Sequence, residues 1–163
     1  FPSDNDVYFG ETVLEWFTKG GFDRLIVIDG VVSSDLGIKE DSDLWGVSST
    51  KMSRKQLDNA GIQKIQHGIV AGISGYLIAE GERRGLDVTA LLAECNPMYP
   101  DARAALIAIE GLSELIDREI PVQGLLDDAR NIEARVREAF ERAQSMALPP
   151  PDTDDDDDVP MVF

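Results

Sequence analysis

Three carboxylates, one histidine and one cysteine are the side chains of this sequence best placed to do chemistry. Asp29 closes the apolar run LIVID, Glu94 closes the run VTALLAE, and Asp101 follows in YPDARAA. If both runs are parallel strands, their C-terminal ends share one edge of a sheet, where open α/β sheets place ligands. Asp29, Glu94 and Asp101 could then converge as a ligand edge, able to move protons or hold a hard cation. The plainer reading is chance clustering, because 31 of 163 residues are Asp or Glu. Cys95 could be a nucleophile only beside a base, and His67 is the only histidine in the chain. A lone histidine beside a strand is more often a structural hydrogen-bonding residue. No Cys/His set exists for zinc, so the sequence predicts no metal, no cofactor and no catalytic residue.

The most patterned stretch is HGIVAGISGYLIAEGERRG, from His67 to Gly85. Strand, glycine turn and helix in that order can cradle a phosphate. The glycines Gly68, Gly72 and Gly75 spell G-x-x-x-G-x-x-G. That is neither the dinucleotide fingerprint nor a phosphate loop, since no Lys-Ser/Thr pair follows. Arg83 and Arg84 stand at the far end of the helix, away from the N-terminus that would face an anion. Backbone amides from Gly72 to Gly75 could still meet one, but the leading expectation is a tight junction in which glycine lets backbone approach closely.

The elements that must position these residues follow from apolar spacing. Val7, Phe9, Val13, Leu14 and Phe17 recur at helical intervals from Val7 to Lys19, and Gly20–Gly21 ends that helix. Residues 1–5 read as a loop, Leu25 to Asp29 as a strand buried on both faces and hence parallel, and Leu44 to Ser49 as a short strand. A short helix starts at Ser53 and stops at Gly61. Ile69 to Ile73 reads as a strand or a strand-to-helix turn, Ser74 to Arg84 as a helix, and Val88 to Ala93 as a strand. Asp101 opens a helix to Asp117 with Ala104, Ala105, Ile107, Ala108, Leu112 and Leu115 facing inward. Pro121 begins another helix whose apolar stripe runs from Val122 to Ala143. Its charged residues, Arg130, Arg135, Arg137 and Arg142 among Glu133, Glu138 and Glu141, form a salt-bridged solvated face, not a nucleic-acid patch. Helices alternating with short buried strands predict an α/β domain, a parallel-strand sheet flanked by helices, ending in a helical hairpin. It should span residues 1–146, followed at 147–163 by a disordered acidic tail.

That tail, LPPPDTDDDDDVPMVF, cannot build a core. It nevertheless ends in Val159, Pro160, Met161, Val162 and Phe163, an apolar clump with a free carboxylate on a solvated tether, the form of a docking peptide. The chain is 43% hydrophobic, with a net charge of −16, of which six charges sit on Asp152 and Asp154 to Asp158. Such a field repels nucleic acid and anionic membrane. No apolar run approaches a membrane-spanning length, and the single cysteine fits a cytoplasmic protein. Ten Arg against five Lys on so acidic a chain suggest a salt-loving archaeal source, where screening removes self-repulsion.

Taken together, LIVIDGV, LWGVSST, GIVAGISGYLIAEGERRG, VTALLAE, YPDARAA and LLDDARNIEARVREAFERA resemble the proteasome assembly chaperone family of archaea and bacteria, from about Phe1 to Arg142. The family domain usually has further strands and a helix before the position of Phe1, so this chain looks like its C-terminal two-thirds. The resemblance implies a fold similar to nucleoside phosphorylases, generally without enzymatic activity. It also implies homo-oligomers and binding to 20S proteasome subunits or complexes. Some archaeal members end in a hydrophobic–tyrosine–any-residue motif that inserts between proteasome α-subunits; here Val162 stands where that tyrosine would be. Others are labelled as ATP-grasp enzymes, yet no Lys-rich or metal-carboxylate pattern here supports that. The sequence therefore reads as a non-enzymatic proteasome assembly chaperone or proteasome-binding protein. The alternative is a small-molecule-binding enzyme of nucleoside phosphorylase-like or ATP-grasp-labelled type, using the Asp29, Gly72 and Glu94 edge.

Overall fold

A computed structural model describes residues 3–32, 43–65, 67–95, 97 and 101–122, and beyond these only positions 124, 127, 130–131, 134–139 and 142, all helical. The expected second arm of the hairpin therefore lies largely outside the described residues, as do the tail and its terminal Val159 to Phe163.

The first helix, α1 (Asp4–Gly20), begins earlier than apolar spacing indicates. Ser3 and Asp6 form a reciprocal capping box, so residues expected in a loop are its first turn. Gly21, left-handed at φ 65°, closes it. The strands are β1 (Leu25–Val32), β2 (Leu44–Ser48), β3 (Gln63–Lys64) and β4 (Val88–Cys95). Between them run α2 (Lys51–Asn59) and α3 (Gly72–Arg84), and α4 (Ala102–Ile116) follows β4. Ile69 to Ala71 form no strand, so of the two expectations for Ile69 to Ile73 the turn into a helix is the observed one.

The sheet order is β1-β4-β2-β3. β1 runs parallel to β4 along its whole length, Leu25 opposite Val88 and Val32 opposite Cys95. β2 runs antiparallel to β4, and β3 parallel to β2. The sheet is thus mixed rather than wholly parallel. A continuous apolar run reports burial on both faces, not strand direction, which is why LWGVS gave no sign of its reversal.

β4 is the buried spine, and alternation along it sorts the core into two layers. Val88 packs with Leu14 of α1 and Leu77 of α3 on one face. Leu91 packs with Leu57 of α2, Ile62 and Leu115 of α4 on the other, where Ala93 meets Ala104 and Ala108. Leu14, Leu57 and Leu91 are fully buried, and each such side chain contributes about 1.5–3 kcal/mol. In α4 the buried positions are Ala102, Ala104, Ala108, Gly111 and Leu115. Ala105, expected inward, is exposed, because the stripe follows the 104–108–111–115 column. In α1, Gly10, Leu14 and Phe17 are buried, while Val7 and Phe9, which share the apolar spacing, are exposed.

A charged clamp joins α1 to α3. The Tyr76 hydroxyl donates to Glu11 Oε1, and Arg84 pairs with Glu11 and, at 2.8 Å, with Glu80. Glu80 also binds Arg83 at 2.7 Å. Hydrogen bonds from Arg83 and Arg84 hold the Glu80 carboxyl at about 2, against an ordinary 4.5. The hydrogen bond from Tyr76, then that from Arg84, lowers Glu11 as well.

Candidate functional site

Asp29 stands on the α3 face of β1, in register with Leu92. Its carboxylate is engaged: Oδ1 accepts from the Gly30 N–H at 2.8 Å, and Oδ2 accepts from the Ser74 hydroxyl at 2.6 Å. Ser74 is 1% exposed, so this bond locks the first turn of α3 to the end of β1. Glu94, opposite Val31, is buried on the same face. Asp101 is on the other side of the sheet. It is the N-cap of α4, accepting from the Arg103 and Ala104 N–H groups at 3.1 and 3.2 Å, and it pairs with the Arg103 guanidinium. The structure thus brings Asp29 and Glu94 to one face and places Asp101 on the opposite one.

The glycine segment has a definite mechanical logic. Gly72 adopts φ 67°, a left-handed conformation costly for any residue with a Cβ. At Gly75 a Cβ would lie 2.0 Å from the Val70 carbonyl oxygen, an impossible approach. Gly68 is different: a Cβ there would make ordinary contact, 3.4 Å from Ile65. Ala71 is the N-cap and offers no side-chain acceptor, so no cap side chain occupies the first amides of α3.

The approach to α3, up to Ala71, borders a cavity of about 750 Å³, bounded by Asp29, Trp45, Lys64, His67, Val70 and Leu92 among others. The volume is within the range of small-molecule sites. Lys64 is tied to Asp58 at 2.7 Å. Cys95 is not part of this cavity. It turns to the α4 face, where a Cβ on Gly30 would sit 2.7 Å from its sulfur. Burial, then the negative charges of Asp101 and Asp29, push the Cys95 thiol up, away from the reactive thiolate. Cysteine and histidine therefore lie on opposite sides of the sheet, and no nucleophile–base pair forms between them. Among the described residues no group of three or more His, Cys, Asp and Glu is arranged to hold a metal ion, and no helix is long and apolar enough to cross a membrane.

Trp45 and Lys64 were not legible as cavity residues. Trp45 alternates with Leu44 and Gly46, which face the α2–α4 layer, so strand parity in LWGVS was the available signal. Lys64 lies in a two-residue strand too short to give a pattern.

This arrangement of sheet and helices has known counterparts. PbaA of Pyrococcus furiosus, described as an archaeal homolog of proteasome-assembly chaperone, superposes with a TM-score of 0.73 at 26% identity, covering 89% of this chain and 63% of that one. P. furiosus PbaB, described as an archaeal proteasome activator, gives a TM-score of 0.64 at 19% identity, over 88% of this chain and 60% of its own, a likeness of fold. An uncharacterized protein of Methanocaldococcus jannaschii is 25% identical over 103 residues, 63% of this chain and 43% of the relative. The chain thus spans less than two-thirds of the length of these relatives. The PAC2 family profile matches residues 2–139, and this chain belongs to the PAC2 family.

Proposed function

We propose that this chain is a non-enzymatic proteasome assembly chaperone or proteasome-binding protein, acting on 20S proteasome α-subunits or complexes and working in the cytoplasm as a homo-oligomer. The observation that carries the reading is the likeness to PbaA over 89% of the chain. Site geometry supports it. Asp29 holds α3 in place, Asp101 caps α4, and Cys95 is a protonated thiol remote from His67. These residues perform structural work, and Gly72 and Gly75 shape the same junction. The α/β body would bind the proteasome, and Val159 to Phe163 would add a weak docking peptide whose tether raises its local concentration. The acidic surface repels nucleic acid and anionic membrane and suits a high-salt cytoplasm.

The test is capture of cognate 20S proteasome and of free α-subunits, comparing the full chain with a version ending at Met146. Capture by both versions assigns binding to the body; capture by the full chain alone assigns it to the tail. No capture by either folded protein overturns the reading. A second reading, a small-molecule site, rests on the cavity beside Trp45, Lys64 and His67. It would gain weight if capture failed and a metabolite raised the melting temperature of the wild type but not of Trp45→Ala.

A further inference from the structure

Charge is unevenly spread along this acidic chain, and one helix collects the exception. Residues 44–79 hold four basic side chains, Lys51, Arg54, Lys55 and Lys64, against the single acid Asp58, so they carry +3 while the rest of the chain carries −19. Three of the four stand on α2. That helix lies on the β2–β3 side of the sheet, where its Leu57 packs against Gly46 of β2. It begins just after Ser48, which is opposite Thr89 near the start of β4, whereas Val32 is opposite Cys95 at its end.

The fold uses only part of this positive charge. Arg54 donates to the Ser48 and Ser49 carbonyls and pairs with Glu82 at 3.1 Å, and Lys64 is held by Asp58 at 2.7 Å. On α1, Lys19 is tied to Glu15. Lys51 and Lys55 are exposed, and their ammonium groups meet no carboxylate and no hydrogen-bond acceptor among the described residues. Helix stability does not account for them. A helix favours acid in its first turn and base in its last, yet α2 has neither; Lys51 is its first residue and Asp58 stands beside its end. At i, i+4 the two lysines are neighbours about 5–6 Å apart at Cβ, and like charges so placed repel. Met52, next to Lys51 and one turn before Lys55, is 71% exposed. Two ammonium groups that stabilise nothing in the fold thus adjoin an open thioether.

We propose that Lys51, Met52 and Lys55 form a docking surface for an acidic segment of another protein, one that presents two carboxylates about a helical turn apart with an apolar side chain beside them. Charge complementarity selects this occupant. A chain at −16 repels an acidic partner over most of its surface, so contact is confined to the face where the field reverses. A nucleic acid fits poorly: duplex DNA carries a charge every ~1.7 Å of its axis, and its remaining phosphates would lie over the acidic faces. A short acidic segment needs no more than the two free lysines. The flexible thioether of Met52 adapts to apolar side chains of different shape. The proposal is independent of proteasome capture, so either can fail alone.

The experiment is fluorescence anisotropy of a labelled peptide of Glu-Leu-Ala-Ala-Glu repeats, titrated with the full chain at low and high sodium chloride. The same peptide with Gln in place of Glu and a single-stranded oligonucleotide are the comparators. The Glu peptide is expected to bind, less tightly as salt rises. Lys51→Glu and Lys55→Glu should each weaken it about tenfold or more, and Met52→Ala by less. Lys19→Glu, which changes the net charge equally but on α1, should leave it unchanged. Lys51→Glu should also raise the melting temperature, because it puts acid in the first turn of α2, so its lost binding is not lost folding. No binding of the Glu peptide overturns the proposal, as does equal binding of the Gln peptide or an equal loss in Lys19→Glu. Tighter binding of the oligonucleotide overturns it by assigning the face to nucleic acid. Binding seen only in the version ending at Met146 overturns it too, by assigning the face to the chain's own acidic run.

Discussion

The bond between Asp29 and Ser74 joins two segments 45 positions apart where the glycine segment becomes α3. Ser74→Ala removes a hydrogen bond to a charged acceptor and should cost about 1.5–3 kcal/mol in urea unfolding, leaving the carboxylate short of a partner. Asp29→Asn should cost less, because the amide oxygen still accepts from the Gly30 N–H and the Ser74 hydroxyl can turn to accept from the amide N–H. Gly75→Ala forces a methyl into the Val70 carbonyl, and an overpacked site of this kind loses about 1–3 kcal/mol. Gly68→Ala, with ordinary contacts, should be near neutral, and the same denaturation series separates the two. Sequence reading expected glycines that serve close approach, and it named Asp29 for a ligand edge rather than for a bond to Ser74. It did not divide Gly68 from Gly72 and Gly75, since G-x-x-x-G-x-x-G says nothing of which φ is positive or which carbonyl is near. Nor did it divide Asp101 from Glu94, because which face a carboxylate takes depends on strand parity and on capping, and Asp101 was consumed as a cap.

Between elements, the clamp of Glu11, Tyr76, Glu80, Arg83 and Arg84 ties α1 to α3, and it titrates. Glu80 and Glu11 have lowered folded-state pKa values, so the unfolded chain takes up protons first as pH falls. The stability they contribute is full above the ordinary 4.5 and drains away as pH drops from there toward about 2, the Glu80 value. Melting temperatures across that window should fall steeply for the wild type and less steeply for Glu80→Gln, which has no carboxyl to protonate. Both carboxylates are near the surface, and part of the effect should vanish in high salt. At this scale the sequence was legible in kind but not in direction. Helices and strands were found, with α4 bounded by Asp101 and Asp117 as expected. The start of α1 was missed because a capping box outranks apolar spacing, and the reversal of β2 was hidden because direction leaves no mark in composition.

For the molecule as a whole, charge is the dominant long-range term. With −16 on 163 residues, self-repulsion opposes compaction, and raising salt from about 0.1 M to 1 M shortens the screening length from about 10 Å to about 3 Å. The melting temperature should therefore rise with sodium chloride, and a flat response would remove the salt-adapted reading. Fold class and family were both legible, because ordered segments such as GIVAGISG and YPDARAA carry them. The cavity was not, since its wall is assembled from β1, β2, β3 and the approach to α3, which meet only in three dimensions.

The order β1-β4-β2-β3 also has a consequence in time. Among the described strands β4 alone touches both β1 and β2, and it is made last of the four. Until Val88–Cys95 leaves the ribosome, the described strands before it can form only the short β2–β3 pairing, without the two-layered interior that β4 divides. Loop-closure entropy must be overcome before those pairings reward it, so acquisition of structure should be late and concerted. Arrested chains ending just before Val88 should be digested by protease, and chains extended past Leu115 should resist it.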